Sequence, residues 1–127
     1  VKTVYLCGGI NGLSDAEANG WRVEATARLS AAFDVLDPMA RDYRGKEAEN
    51  VRAIVDGDLA DIAAADVILV RADRPSWGTA MEVYHAFAAG KTVVAFGAGP
   101  RPSPWLAAHA TFLAADLTAA LCWIEAN

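Results

Sequence analysis

Two short apolar runs, Val67–Val70 and Thr92–Phe96, flank a stretch of helical character, and this pairing constrains the fold more than any other feature of the chain. Each run is strand-length and rich in β-branched residues, the mark of a strand buried on both faces. A strand, a helix and a second strand in succession make a parallel pair joined by a right-handed crossover. The alternation continues along the chain. Val1–Cys7 reads as a first strand running into Gly8-Gly9, and Asp34–Leu36 as a second, closed by Asp37-Pro38. Between them Ser14 and Glu17 form a capping box, and Trp21, Val23, Ala25, Leu29 and Phe33 carry helical spacing to about residue 33. The polar segment Met39–Gly45 is expected to be a surface loop, with a second helix from about Lys46 to Ala64. After a Gly/Pro-rich loop, 97–104, come a short apolar segment near Ala110–Leu113 and a closing helix from about Ala115 to Glu125. The expectation is a single domain over residues 1–127, α/β in class, with a doubly wound parallel five-stranded sheet in the flavodoxin-like order 2-1-3-4-5.

Charge and composition exclude several roles. Sixteen acidic against eleven basic residues give a net charge of −5 without a basic run, so duplex nucleic acid is not an expected partner. Although 54% of residues are hydrophobic, no uninterrupted run approaches the roughly 18 apolar residues of a membrane span. With Lys2 leading directly into a strand, no signal pattern is read, and a cytoplasmic location is expected. Cys7 and Cys122 match no metal or redox spacing and are expected as reduced thiols. His85 and His109 lack metal-ligand spacing, so neither a metal nor a cofactor is expected. Gly8–Gly12 departs from the dinucleotide-binding pattern G-x-G-x-x-G, and no phosphate-binding G-x-x-x-x-G-K-[ST] occurs.

A sheet of this kind gathers its strand-end loops on one edge, where ligands bind. Tyr5 and Gly8-Gly9, then Asp37 with Met39, Arg41 and Arg44, then the stretch Arg74–Glu82 therefore converge. Within that stretch Glu82 sits about one turn inside a helix, with Gly78 four residues before it and Ala86 and Ala89 on the same side. Such an acid is either a group favoured by the positive end of the helix dipole or a functional carboxylate. Asp58 falls on the apolar stripe of the second helix, beside Val51, Val55 and Ile62. A carboxylate there is either a hydrogen-bonded rim residue or half of a pair of acids able to divide the cleavage of a glycosidic bond. Asp56 and Asp61 read as solvent-facing charges, and Trp77, Met81 and Met39 either pack or form an apolar wall for a flat heterocycle.

The motifs Tyr5–Ile10 (YLCGGI), Asp37-Pro38, Asp58-Leu59 with Ala65–Ile68 (ADVI), and Gly78–Glu82 (GTAME) with Gly90–Val93 (GKTV) occur in order from residue 3 to about residue 96. Together the set resembles the nucleoside 2-deoxyribosyltransferases and the related 2′-deoxynucleoside 5′-phosphate N-hydrolases. The resemblance implies that Glu82 is the nucleophile on the anomeric carbon, that Tyr5 orients it, and that Asp58 positions or protonates the departing base. It implies cleavage of the N-glycosidic bond of a (2-deoxy)nucleoside or its 5′-monophosphate through a covalent glycosyl-enzyme, with transfer of the sugar to a second free nucleobase. Hydrolysis of a nucleoside 5′-monophosphate is the alternative within the class, and a nucleotide-binding module without turnover the alternative outside it. Gly8, Gly9, Asp37, Met39, Ser76, Gly78 and Met81 are the implied substrate contacts, and the family's habit of completing its site from a neighbouring subunit implies a homo-oligomer. Ser76 stands where the transferases carry an acid and the nucleotide hydrolases a serine, so a phosphate would meet no carboxylate there. Gly9 and Asn11 stand where the hydrolases tend to carry Ser and Arg, which leaves Arg74, Arg41 or Arg44 to supply a cation for a phosphate.

Overall fold

The computed structural model describes residues 1–127. Strands and helices alternate as β1 (Thr3–Cys7), α1 (Asp15–Leu29), β2 (Asp34–Leu36), α2 (Val51–Ala64), β3 (Val67–Arg71) and α3 (Trp77–Ala88). They continue as β4 (Thr92–Phe96), α4 (Pro104–His109), β5 (Phe112–Ala114) and α5 (Leu117–Ala126). The strands form one sheet, parallel throughout, in the order β2-β1-β3-β4-β5, as the alternation of patterns predicts.

The two-residue period of a strand divides the interior into two layers. Val4 and Leu6 of β1, Val67 and Leu69 of β3, and Val94 and Phe96 of β4 face α1 and α5, where Trp21, Ala25, Leu29, Leu121 and Ile124 cover them. The alternate residues Tyr5, Cys7, Ile68, Val70, Val93 and Ala95 face α2 and α3, against Ile62, Val83 and Ala86. Tyr5 is therefore a polar group delivered by a central strand into the layer that carries Asp58 on α2 and Glu82 on α3. No helix is long and apolar enough to cross a membrane.

Several boundaries differ from the pattern reading. The first helix stops at Leu29, where Ser30 closes it onto the Thr26 carbonyl. Its buried face is Ala18, Trp21, Arg22, Ala25 and Leu29, while Val23 is 66% exposed. The second helix begins at Val51, because Asn50 turns its side-chain amide back to the Lys46 carbonyl and Glu47–Glu49 form a separate single turn. Of its apolar stripe only Ile62 is buried; Val51 and Val55 are exposed. Pro38–Arg41 is a helical turn inside the expected loop, capped by Asp37, which accepts the Met39 N–H at 2.9 Å. The pattern reading has no counterpart of α4, whose cap Ser103 and first residue Pro104 lie in the Gly/Pro-rich loop.

Candidate active site

The loops after β1, β2 and β3 enclose a cleft of about 610 Å³ at the carboxyl edge of the sheet, with Glu82 and Asp58 both in its lining. Ser76 starts α3: its Oγ accepts the Thr79 N–H at 3.4 Å, and its hydroxyl proton remains available to a ligand. One and a half turns on, Glu82 Oε2 accepts the Tyr5 hydroxyl. Gly78 lies beside that carboxylate, where a Cβ would stand 3.8 Å from Oε1, an ordinary contact. Of the small residues beyond Glu82, Ala86 is fully buried, whereas Ala89 faces outward.

Burial raises the Glu82 carboxyl to about 7, and the nearby Asp58 charge adds to the rise, while the Tyr5 hydrogen bond and the Arg22 charge oppose it. Burial and the Glu82 charge drive the Tyr5 phenol far above its usual range, so it stays a donor. Cys7, fully buried beside them, is also pushed up by burial, which removes it as a thiolate nucleophile at neutral pH. Glu82 thus titrates near neutrality among neutral donors, the condition in which a carboxylate serves as nucleophile or base.

Asp58 is also raised by burial, against a hydrogen bond from Arg41. Arg41 Nη2 reaches Asp58 Oδ1 at 3.2 Å and Asp61 Oδ2 at 2.7 Å. Asp61 is therefore not the solvent-facing charge its position on the helix suggests; its side chain is 16% exposed and holds the shorter of the two bonds. The pair depends on Gly57, because a Cβ there would sit 2.7 Å from Arg41 Nε.

Gly8, Gly9, Ser76, Gly78, Arg41, Arg44 and Arg74 line the cleft with Asp58 and Glu82, and Trp77 stands at its mouth, 85% exposed. Asp37, Met39 and Met81 do not line it. Asp37 caps its own turn and lies 3.5 Å from Arg22 Nε, while Met81 is 60% exposed. Each cleft arginine already has a carboxylate: Arg74 bonds Glu17, Arg44 bonds Asp42 and Asp15, and Arg41 bonds Asp58 and Asp61.

Two polar residues at the site have no counterpart in the sequence reading. Thr79, in the cleft lining, is 8% exposed, and its hydroxyl, beside the Cys7 thiol, forms no well-aligned hydrogen bond. Arg22 is 0% exposed. Its signal was present, since Ala18, Arg22, Ala25 and Leu29 fall at the four- and three-residue steps of one helix face.

The family model of the nucleoside 2-deoxyribosyltransferases matches residues 4–118. No curated protein matches the chain. Among solved structures, a 2-deoxyribosyltransferase from Bacillus psychrosaccharolyticus is 17% identical, with a TM-score of 0.74 over 91% of this chain and 88% of that one. A conserved protein from Enterococcus faecalis V583 is 18% identical, with a TM-score of 0.71 over 98% of both chains. A CMP N-glycosidase from Clostridium botulinum is 16% identical, with a TM-score of 0.65 over 98% of this chain and 99% of the other. At such identities the likeness is one of fold.

Proposed function

Since the chain belongs to the nucleoside 2-deoxyribosyltransferase family, we propose that it cleaves the N-glycosidic bond of a deoxynucleoside through Glu82 and passes the sugar to a second nucleobase. The observation that carries this reading is the part-buried Tyr5–Glu82 hydrogen bond in a cleft that also holds Asp58. A carboxylate titrating at about 7 is ionised in a useful fraction at neutral pH and is poorly solvated, which favours attack on carbon.

In the first half-reaction a Glu82 oxygen bonds to C1′ as the C1′–N bond breaks, and its electron pair leaves with the base. Asp58, raised by burial, donates a proton to the departing nitrogen or holds the base through it. In the second half-reaction the acceptor base attacks C1′ from the face the first base left, Glu82 departs as carboxylate, and the acceptor's proton returns to Asp58. Two displacements give net retention. Tyr5 donates to the carboxylate and fixes its orientation. Gly8, Gly9, Ser76 and Gly78 are the proposed sugar contacts, with the peptide edges of the glycines and the α3 N-terminus available for hydrogen bonds.

A second reading, hydrolysis of a deoxynucleoside 5′-monophosphate, is favoured by Ser76 and by Arg74, the most exposed of the three cleft arginines. A phosphate at the α3 N-terminus would meet a hydroxyl rather than a carboxylate, and Arg74, 53% exposed in its side chain, can leave Glu17 at little cost. We also propose a homo-oligomer built on the α3–α4 face, where Trp77, Met81, Tyr84 and Trp105 are 85%, 60%, 59% and 78% exposed. Light scattering tests the oligomer. The activity is tested by incubating the protein with deoxynucleosides and their monophosphates, with and without a free base, and separating the products by chromatography. A new nucleoside formed only with the acceptor present supports transfer, and free base released without it supports hydrolysis. Binding without product from any substrate would leave the binding-module reading.

A further inference from the structure

We infer that Arg22 is a positioning residue of this site: from beneath the β1–α1 loop it holds the Gly8 carbonyl that begins the cleft wall and presents the molecule's one buried positive charge to the Tyr5–Glu82 pair. The inference rests on Glu82 being the reactive group, as proposed above.

Arg22 is the only charged residue with no solvent exposure at all. Its Nη1 donates to the Ala18 carbonyl at 2.6 Å and its Nη2 to the Gly8 carbonyl at 3.0 Å. Nε lies 3.5 Å from Asp37 Oδ1 without a hydrogen bond, and the guanidinium carbon stands 4.8 Å from the Trp21 ring centroid. The slot is tight, because a Cβ on Gly8 would come within 3.0 Å of the Trp21 ring and 3.6 Å of Arg22 Nη2. One side chain thus ties together α1, the end of β1 and the end of β2.

Stability alone does not account for a charge here. Removing an ion from water costs several kcal/mol, and packed apolar side chains of similar volume commonly serve as well or better in such places. Arg22 meets that cost with two carbonyls, a stacked indole and a long ion pair, and its Nε is left unpartnered. What the charge can do follows from its place: Gly8, whose carbonyl it holds, lines the same cleft as Glu82 and follows Tyr5 by three residues on the same strand end. From β1 come Tyr5 and Cys7, both neutral, and from α2 comes Asp58, which works against ionisation of Glu82. The positive charge among them comes from α1, as Arg22, acting through the low-dielectric interior without touching the carboxylate. In the proposed reaction it keeps Glu82 available as a nucleophile, and through Gly8 it fixes the wall against which the sugar is held.

The test compares the wild-type chain with Arg22→Met, Arg22→Gln and Arg22→Lys. Carbon NMR of glutamate side-chain carboxyls follows the Glu82 titration, assigned by the signal lost in Glu82→Gln, and needs no turnover. Urea unfolding and the pH dependence of kcat and KM complete the set. Arg22→Met is expected to fold with reduced stability, because the Gly8 carbonyl and Asp37 lose their partner, with the Glu82 midpoint moved to higher pH and kcat several-fold lower on the acid side. Arg22→Lys is expected to restore the midpoint, since the charge returns, and to leave KM raised, since the two-carbonyl fork does not. Arg22→Gln, which lacks the charge but keeps a polar head, takes the place of the Met variant if that protein does not fold. An unchanged midpoint and kcat in a folded neutral variant overturn the inference, as does a Lys variant that titrates like the neutral one. Wild-type protein that releases no base from any nucleoside refutes the glycosyl-transfer reading, while the NMR titration still decides the effect of Arg22 on Glu82.

Discussion

Glu82→Gln separates the charge of the proposed nucleophile from its shape. The amide keeps an oxygen for the Tyr5 hydroxyl and nearly the same volume, so the main change is the loss of a titrating group held at about 7 instead of the ordinary 4.5. The sign follows from linkage. Below about pH 4.5 the folded and unfolded chains both carry the proton and the group is silent. Between the two values the unfolded chain ionises first, so stability from this group falls as pH rises, and above about pH 7 the full deficit is present. The gap between 4.5 and about 7, at about 1.4 kcal/mol per pH unit, amounts to about 3 kcal/mol. Most of that develops between pH 5 and pH 8. Urea unfolding of both proteins at these two pH values should therefore show Glu82→Gln gaining about 2–3 kcal/mol on wild type as the pH is raised, other titrations being common to the pair. A difference in stability that is the same at both pH values would refute the reasoning, because Glu82 would then titrate as an ordinary carboxyl.

Tyr5→Phe removes the donor that favours ionised Glu82 and keeps the ring in the core. Its kcat should fall by about 10–100-fold, as expected for a lost hydrogen bond to a charged group, with the acid limb of the rate profile moved to higher pH. Gly57→Ala is favourable for helix propensity by up to about 1 kcal/mol, yet its Cβ must push Arg41 off Asp58. The expected result is a folded protein in which Asp58 holds its proton to higher pH, read as an upward shift of the basic limb of kcat. Leu69→Ala, in the central strand and fully buried away from the cleft, should cost about 2–5 kcal/mol in urea unfolding, with catalysis by the folded protein preserved.

What the sequence disclosed of this molecule follows from the range of the forces involved. Strand and helix periods are local, so Val67–Val70 and Thr92–Phe96, with the capped helix at Ser14, disclose the strand–helix alternation of a parallel sheet without any knowledge of contacts. The convergence of Tyr5 and Glu82, 77 residues apart, follows from that topology, because alternate residues of β1 face the α2–α3 layer. Boundaries decided by competing side-chain bonds were not legible. Asn50 could have capped α2 and instead bonds Lys46, and Pro104, which reads as a loop residue, opens α4. The pairing of charges was hidden too. Arg41, Arg44 and Arg74 look like free cations in a loop, and only the folded chain brings Asp61, Asp15 and Glu17 to them. Arg22 escaped for a different reason: an arginine on an apolar stripe conflicts with the pattern, and Val23 beside it is the residue that hydrophobic spacing selects.

In the proposed reaction Glu82 itself bonds to the sugar. The direct measurement is mass spectrometry of peptides from protein quenched in acid during turnover of a deoxynucleoside, and in parallel of its 5′-monophosphate. A deoxyribosyl or deoxyribosyl-phosphate adduct is expected on the peptide containing Glu82, absent from Glu82→Gln. A protein that releases base while Glu82→Gln remains fully active, or that carries the adduct on another residue, would contradict this role of Glu82.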